Sequence, residues 1–192
     1  MLIEISIGEA LDRLSILEIK IEMIKDVLKL QEIQKEIDTL SELQKYKLEG
    51  AYYYKLLLYV NKEIWNLTNI VKQLHYTNSE FAKVSHTIFE LNQSRFRLKN
   101  IINKIYQSNI NEQKSYGSTE ISFRVNDISL LDHTTLLKSL SYISLQYDIL
   151  NISCSEKVKG YILKEVPRFN YIFIESSENT LNINDISVPY SF

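Results

Sequence analysis

The sequence predicts an α+β protein in two parts. An antiparallel helical bundle, or a set of long helical hairpins, spans residues 1–116, and a small α/β unit over 117–192 follows, β-α-β-α-β on a parallel sheet in two or three layers. Three observations predict this. Apolar residues recur at steps of three and four up to Ile105, the spacing of one helix face. That spacing stops near Gln107, and a short polar stretch ending in NEQKSYGSTE separates the parts. Only four Gly and two Pro leave few sites for tight turns, so long helices with few loops are expected.

The elements follow in order. Ser6 can cap the first helix by accepting from the backbone N–H of Glu9 while the Glu9 side chain reaches back, a capping box that starts the helix at Ile7. Ala10, Leu14, Leu17, Ile21, Ile24 and Leu28 form its stripe. Asp26 breaks the pattern, and Leu30, Ile33, Ile37 and Leu40 carry a second segment that ends between Ser41 and Gly50. The third segment, YYYKLLLYVNKEIWNLTNIVKQL, aligns Leu57, Val60, Ile64, Leu67, Val71 and Leu74. A second capping box, Thr77 with Glu80, opens the fourth, whose stripe runs through Phe81, Val84, Ile88, Leu91, Arg95, Leu98, Ile102 and Ile105. Arg95 interrupts that seam. Its head must reach water or meet a carboxylate, because an unpaired buried charge costs several kcal/mol. Alternation of three and four also suits a coiled coil, so an intermolecular helical dimer and an intramolecular bundle both fit.

In the second part EISFRV alternates Ile121, Phe123 and Val125 with Ser122 and Arg124, as a strand does. LLKSLSYISLQYD is helical, ILNISC a strand, SEKVKGYILKEVP helical up to Pro167, and YIFIE a strand. The opening LIEIS is expected to add a short strand to the sheet edge. Right-handed crossovers between strands laid down in sequence order put both connecting helices on one face. The other face is then expected to pack on the helical part or on a second subunit.

Composition narrows the function. Hydrophobic residues at 45% and charged residues at 24% describe a globular chain. A net charge of −2 and a pI of 6.0 make nucleic acid an unexpected partner. The basic run Arg95, Arg97, Lys99 and Lys104 beside Phe96 reads as a solvated helix face before it reads as an RNA contact. The single Cys154 forms no internal disulfide. With no basic-then-apolar leader and no run approaching 18 apolar residues, a cytoplasmic protein without a membrane span is expected. His75, His86 and His133 show no zinc spacing, so neither a metal nor another cofactor is expected.

Two groups of residues could carry chemistry. Glu9, Asp12 and Arg13 share one side of the first helix with Lys20 further on; Asn61 and Trp65 share a face of the third, and Asn92, Arg95 and Lys99 a face of the fourth. Converging, they would form either a buried network that fixes helix register or a site for a small anionic group held by Arg95 and Lys99. Arg95 is expected to pair with Asp12. In the α/β part, Asp132 and His133 follow the first strand, where open α/β sheets place their sites, although Asp132 also suits a helix cap.

The stretch IGEALDRLSILEIK resembles the opening helix of a family of small helical proteins of bacteria and viruses, with the pattern G-E-x-x-D-[KR]-L-[ST]-I-L-x-I-K. The match rests on Gly8, Glu9, Asp12, Arg13, Leu14, Ser15, Ile16, Leu17, Ile19 and Lys20. VNKEIW resembles its second signature through Asn61 and Trp65, and NQSRFRLKNIIN its third through Asn92, Arg95, Lys99 and Asn103. The resemblance covers residues 1–116 and brings no activity with it. Residues 118–192 are similar, more loosely, to the first β-α-β-α-β of two-domain sugar-nucleotide glycosyltransferases. Asn126 and Asp127 stand where those enzymes usually have Gly-Asp, without the glycine that lets backbone approach a phosphate. Residues 118–192 resemble only the first Rossmann domain of those enzymes, so a self-sufficient transferase is not expected.

The leading expectation is a non-catalytic interaction or oligomerisation module, its partner itself or another protein, accessory to a glycan-related or viral process. The alternative is an α/β protein that binds a sugar nucleotide or another phosphorylated ligand.

Overall fold

A computed structural model describes residues 4–110, 112, 117–126, 132–166, 170–175, 181–185 and 188. The chain is α+β and forms two compact units, Met1–Glu112 and Gln113–Phe192.

In the first unit, α1 (Ile7–Met23), α2 (Val27–Thr39), the short α3 (Gln44–Glu49), α4 (Ala51–Val71) and α5 (Ser79–Ile105) follow one another. The Ser6 hydroxyl accepts from the Glu9 N–H at 3.1 Å, so α1 starts at Ile7. The Glu9 carboxylate turns to Lys99 instead of back to Ser6, and only half of the expected capping box forms. Asp26 breaks the chain as expected and caps α2 by accepting from Leu28 and Lys29. Residues 41–43 form one 3₁₀ turn before α3. Asn78, not Thr77, caps α5, because the Thr77 hydroxyl is engaged by His75 Nδ1 at 2.8 Å. Helices α4 and α5 make the long hairpin of the unit, and α1 packs against both.

That double packing alters the expected seam of α1. Leu11 and Ile19 are buried beside Ala10, Leu14 and Leu17, while Ile21 stays exposed, and Leu28, expected on the same stripe, belongs to α2 and is exposed as well. A helix held between two neighbours needs an apolar face wider than one heptad stripe, and its last turn lies beyond their reach. Leu56, Leu57 and Val60 of α4 and Leu98, Ile101 and Ile102 of α5 complete the core. Each such side chain contributes about 1.5–3 kcal/mol on burial.

The second unit is a parallel sheet in the order β3-β2-β1-β4. Its strands are β1 (Glu120–Arg124), β2 (Ile149–Ser153), β3 (Tyr171–Phe173) and β4 (Leu181–Asn182), with α6 (His133–Gln146) and α7 (Glu156–Glu165) as connectors. Ile121 lies beside Leu150 and Phe123 beside Ile152. This face meets Leu136, Leu140 and Ile143 of α6 and Val158 and Ile162 of α7 in one core, so both helices cover the same side. The edge expected for residues 2–6 is occupied by β4 instead, with Phe123 beside Leu181. Glu4–Ser6 lie outside any strand, and Leu2 and Ile3 fall outside the described residues.

The other face was expected to need an apolar cover. It carries Glu120, an exposed Ser122, and Asn151, whose amide donates to Ser122 at 3.4 Å and Glu120 at 3.3 Å. Side chains of this kind are solvated at no cost; the half-buried Ile149, in register with Glu120, and the exposed Ile172, beside Asn151, are apolar positions on this face.

Candidate functional site

The polar residues of the helical unit divide into two groups. Asp12 is buried on the inner side of α1, and Arg95 of α5 grips it with both arms of its fork, Nε to Oδ1 at 2.8 Å and Nη2 to Oδ2 at 2.5 Å. The expected Arg95–Asp12 pair is therefore present. From α4, the Asn61 amide donates to Asp12 at 2.9 Å and to the Ser15 hydroxyl at 2.7 Å, and Ser15 in turn donates to the Asp12 carbonyl. One buried carboxylate thus ties three helices. The bonds from Asp12 hold the Arg95 guanidinium further above its usual range, against the opposing effect of burial.

Lys99, one turn along α5, belongs to the second group. Its ammonium reaches Glu9 at 2.7 Å and Glu112 at 2.6 Å, with only 11% of its side chain exposed. Burial opposes its charge, but the two carboxylates outweigh that and raise its pKa. Lys99 is thus already neutralised, and the geometry does not bring it to a common anion site with Arg95.

Three of the expected cluster residues lie elsewhere. Arg13 faces outward and pairs with Glu36 of α2. Lys20 lines a groove with Ile24 and Leu28. The Asn92 amide donates to the Ile88 carbonyl of its own helix. Trp65, by contrast, joins Asn61 and Arg95 around a 250 Å³ cavity. Sequence reasoning about the site missed Ser15, Gly8, Asn103 and Glu112. The first three lie in the quoted motif stretches, where residue type was the signal. Glu112 lies in the polar stretch that separates the two parts and carries none.

The fit of α1 on α5 depends on Gly8. Its N–H donates to the buried Asn103 side chain at 2.6 Å, and a Cβ there would stand 2.4 Å from the Lys99 carbonyl oxygen.

In the α/β unit, a cleft of 720 Å³ opens at the carboxyl ends of β1, β2 and β3, lined by Arg124, Asn126, Ser155, Glu156, Lys159 and Glu175 among others. Asp132 is exposed and caps α6 by accepting from Thr134 at 2.8 Å. His133 packs against Tyr161 with ring centres 4.5 Å apart and the rings tilted by 42°. Asp127 lies outside the described residues. Cys154 lines the cleft, but burial, then Glu156, push its thiol up against a weaker pull from Lys159, the opposite of nucleophile activation. Among the described residues no group of three or more His, Cys, Asp or Glu is placed to hold a metal, and no helix is long and apolar enough to cross a membrane.

A family match covers residues 1–138, which takes in every residue of both polar groups. The chain belongs to DUF6165, a family of unknown function. The DUF6165 match runs past the helical unit, through β1 and into α6. No curated protein and no solved structure matches the chain.

The DUF6165 helical core also carries a pH dependence. Tyr54 is buried, and burial, then the neighbouring Glu18 carboxylate, raise its pKa from 10.0. Both Tyr54 and Lys99 have raised folded-state values, so the stability they confer is complete below their unfolded values and falls as pH rises above about 10. The melting temperature followed by circular dichroism is expected to hold steady up to that point and then drop. Tyr54→Phe should make the drop shallower, and an unchanged slope would remove Tyr54 from the account.

Proposed function

We propose that the helical unit is a self-association module whose contact surface is the ridge formed by the end of α1 and the start of α2. The observation that carries this reading is apolar exposure. Val27 is 65% and Leu28 73% exposed, next to the partly exposed Ile21 and Met23. Leu28 lines a 420 Å³ groove together with Ile24 and Ile33. A contiguous apolar ridge with a charged rim is the usual mark of an interface. The rim carries both signs, with Lys20, Lys29 and Glu32. A two-fold contact sets each patch against its own copy, so a patch holding both signs suits a second copy of the chain better than a partner of one charge. Such a role is accessory, not catalytic, and fits the glycan-related or viral setting that the sequence resemblances imply.

Size-exclusion chromatography with light scattering is expected to give a dimer mass for the full chain and a monomer mass for Leu28→Lys, with the same circular dichroism spectrum. A wild-type monomer at tens of micromolar would overturn the reading.

The cleft at the carboxyl edge of the sheet favours a second reading, in which the α/β unit takes a sugar nucleotide or another phosphorylated ligand. Ligands of open parallel sheets bind at this edge, and Arg124, Lys159 and the start of α7 supply positive potential beside Glu156 and Glu175. A uridine diphosphate sugar at a hundredfold excess over its dissociation constant is expected to stabilise the protein by about 2.7 kcal/mol, read as a rise in melting temperature. A flat response across such nucleotides would discard this reading.

A further inference from the structure

The 250 Å³ cavity beside Arg95 lies within the helical unit, away from the exposed ridge, and its chemistry is distinctive. Asp12 holds Arg95 through Nε and Nη2 only. Nη1, with two N–H donors, has no acceptor among the described residues, and a quarter of the side chain is exposed. Because Asp12 is buried and bonded to Asn61 as well, the guanidinium plane is fixed before anything binds. A second cation, Lys72 at the C-terminal cap of α4, lines the same cavity, and among the described residues it has no carboxylate partner. Arg95 and Lys72 are the charged residues of its lining, while the Glu9 and Glu112 carboxylates that also act on Arg95 are paired with Lys99. Its remaining walls are apolar or neutral: Ile16, Ile64 and the Trp65 side chain, with Thr68 and Asn69 as small polar groups.

We propose that this cavity is a receptor for a small monocarboxylate with a planar apolar body. The carboxylate would accept from Arg95 Nη1 and pair with Lys72, while the body lies among Ile16, Ile64 and Trp65. Guanidinium donors in a rigid plane match a planar oxyanion. The volume is below the roughly 300–1,000 Å³ of sites for drug-sized ligands, so the body is about the size of one ring. A phosphate has no use for the apolar walls.

Trp65 is the only tryptophan in the chain, so its emission reports on this cavity alone. Full-length protein titrated with benzoate is expected to show a saturable change in Trp65 emission. Benzamide, the same shape without charge, and inorganic phosphate, charge without a ring, should each bind at least about tenfold more weakly. Lys72→Ala should raise the benzoate dissociation constant about fivefold, and Asn69→Asp, which sets a carboxylate at the rim, should raise it further. Both positions are exposed, so circular dichroism and melting temperature should stay at the wild-type values. Equal response to benzoate and benzamide, phosphate binding as tight as benzoate, no response to benzoate, or indifference to both substitutions would each overturn the proposal.

Discussion

Replacing Arg95 with leucine is expected to lower the stability of the helical unit by about 3–5 kcal/mol, because it strands a buried carboxylate. Asp12 has 1% of its side chain exposed and cannot reach water, and without Arg95 only the neutral donor Asn61 would remain on its carboxylate. The two single losses should differ. Asp12→Leu leaves an arginine that is already a quarter exposed and can turn its head outward, at the lower end of that range. The double variant should recover much of the loss, since two apolar residues of similar volume satisfy each other where one charge alone does not. Urea unfolding followed by Trp65 emission, which reports on the helical unit, gives the cycle. Strictly additive losses would show that the pair does not couple α1 to α5.

Gly8→Ala is the second large effect, and here two physical effects compete. Alanine in a helix gains about 1 kcal/mol over glycine. The added Cβ, however, would sit 2.4 Å from the Lys99 carbonyl oxygen and 2.8 Å from Asn103 Oδ1. The first of these belongs to the α5 backbone and cannot swing aside, so α1 must lift from α5 and weaken the Gly8–Asn103 bond. Overpacking of this kind costs about 1–3 kcal/mol, and a lost buried hydrogen bond about 1–3 more, so the clash wins and the net change is a loss of about 1–5 kcal/mol. Gly160 is the internal control. It sits in α7 with nothing within 4 Å of its Cβ position, so Gly160→Ala should stabilise by about 0.5–1 kcal/mol. The same substitution with opposite signs in two helices, read by urea unfolding, separates close approach from helix propensity. A stabilised Gly8→Ala would mean that the two helices are not held in contact there.

Much of this architecture was written locally. Ser6 and Asp26 cap helices because a short side-chain oxygen beside a free N–H needs no distant partner. The alternation of Ile121 and Phe123 with Ser122 turned one face of β1 to the core, whatever lay beside it. Even the Arg95–Asp12 pair was legible, since a charge on an apolar stripe has few ways to be satisfied. Other features depended on which elements met. Thr77 and Asn78 are comparable caps by type, and a contact with His75 selected between them. Leu28 fitted a stripe, but spacing only says which side chains share a face, not whether a neighbour covers it, and none covers Leu28. Lys99 suited a register-fixing network, an anion site or a solvated helix face alike, until Glu9 and Glu112 met it from other parts of the chain. Period and capping are set within a few residues, and the sequence alone determined them; ion partners, cavities and close approaches such as Gly8 on α5 arise where separate elements cross, and only the tertiary structure decided those.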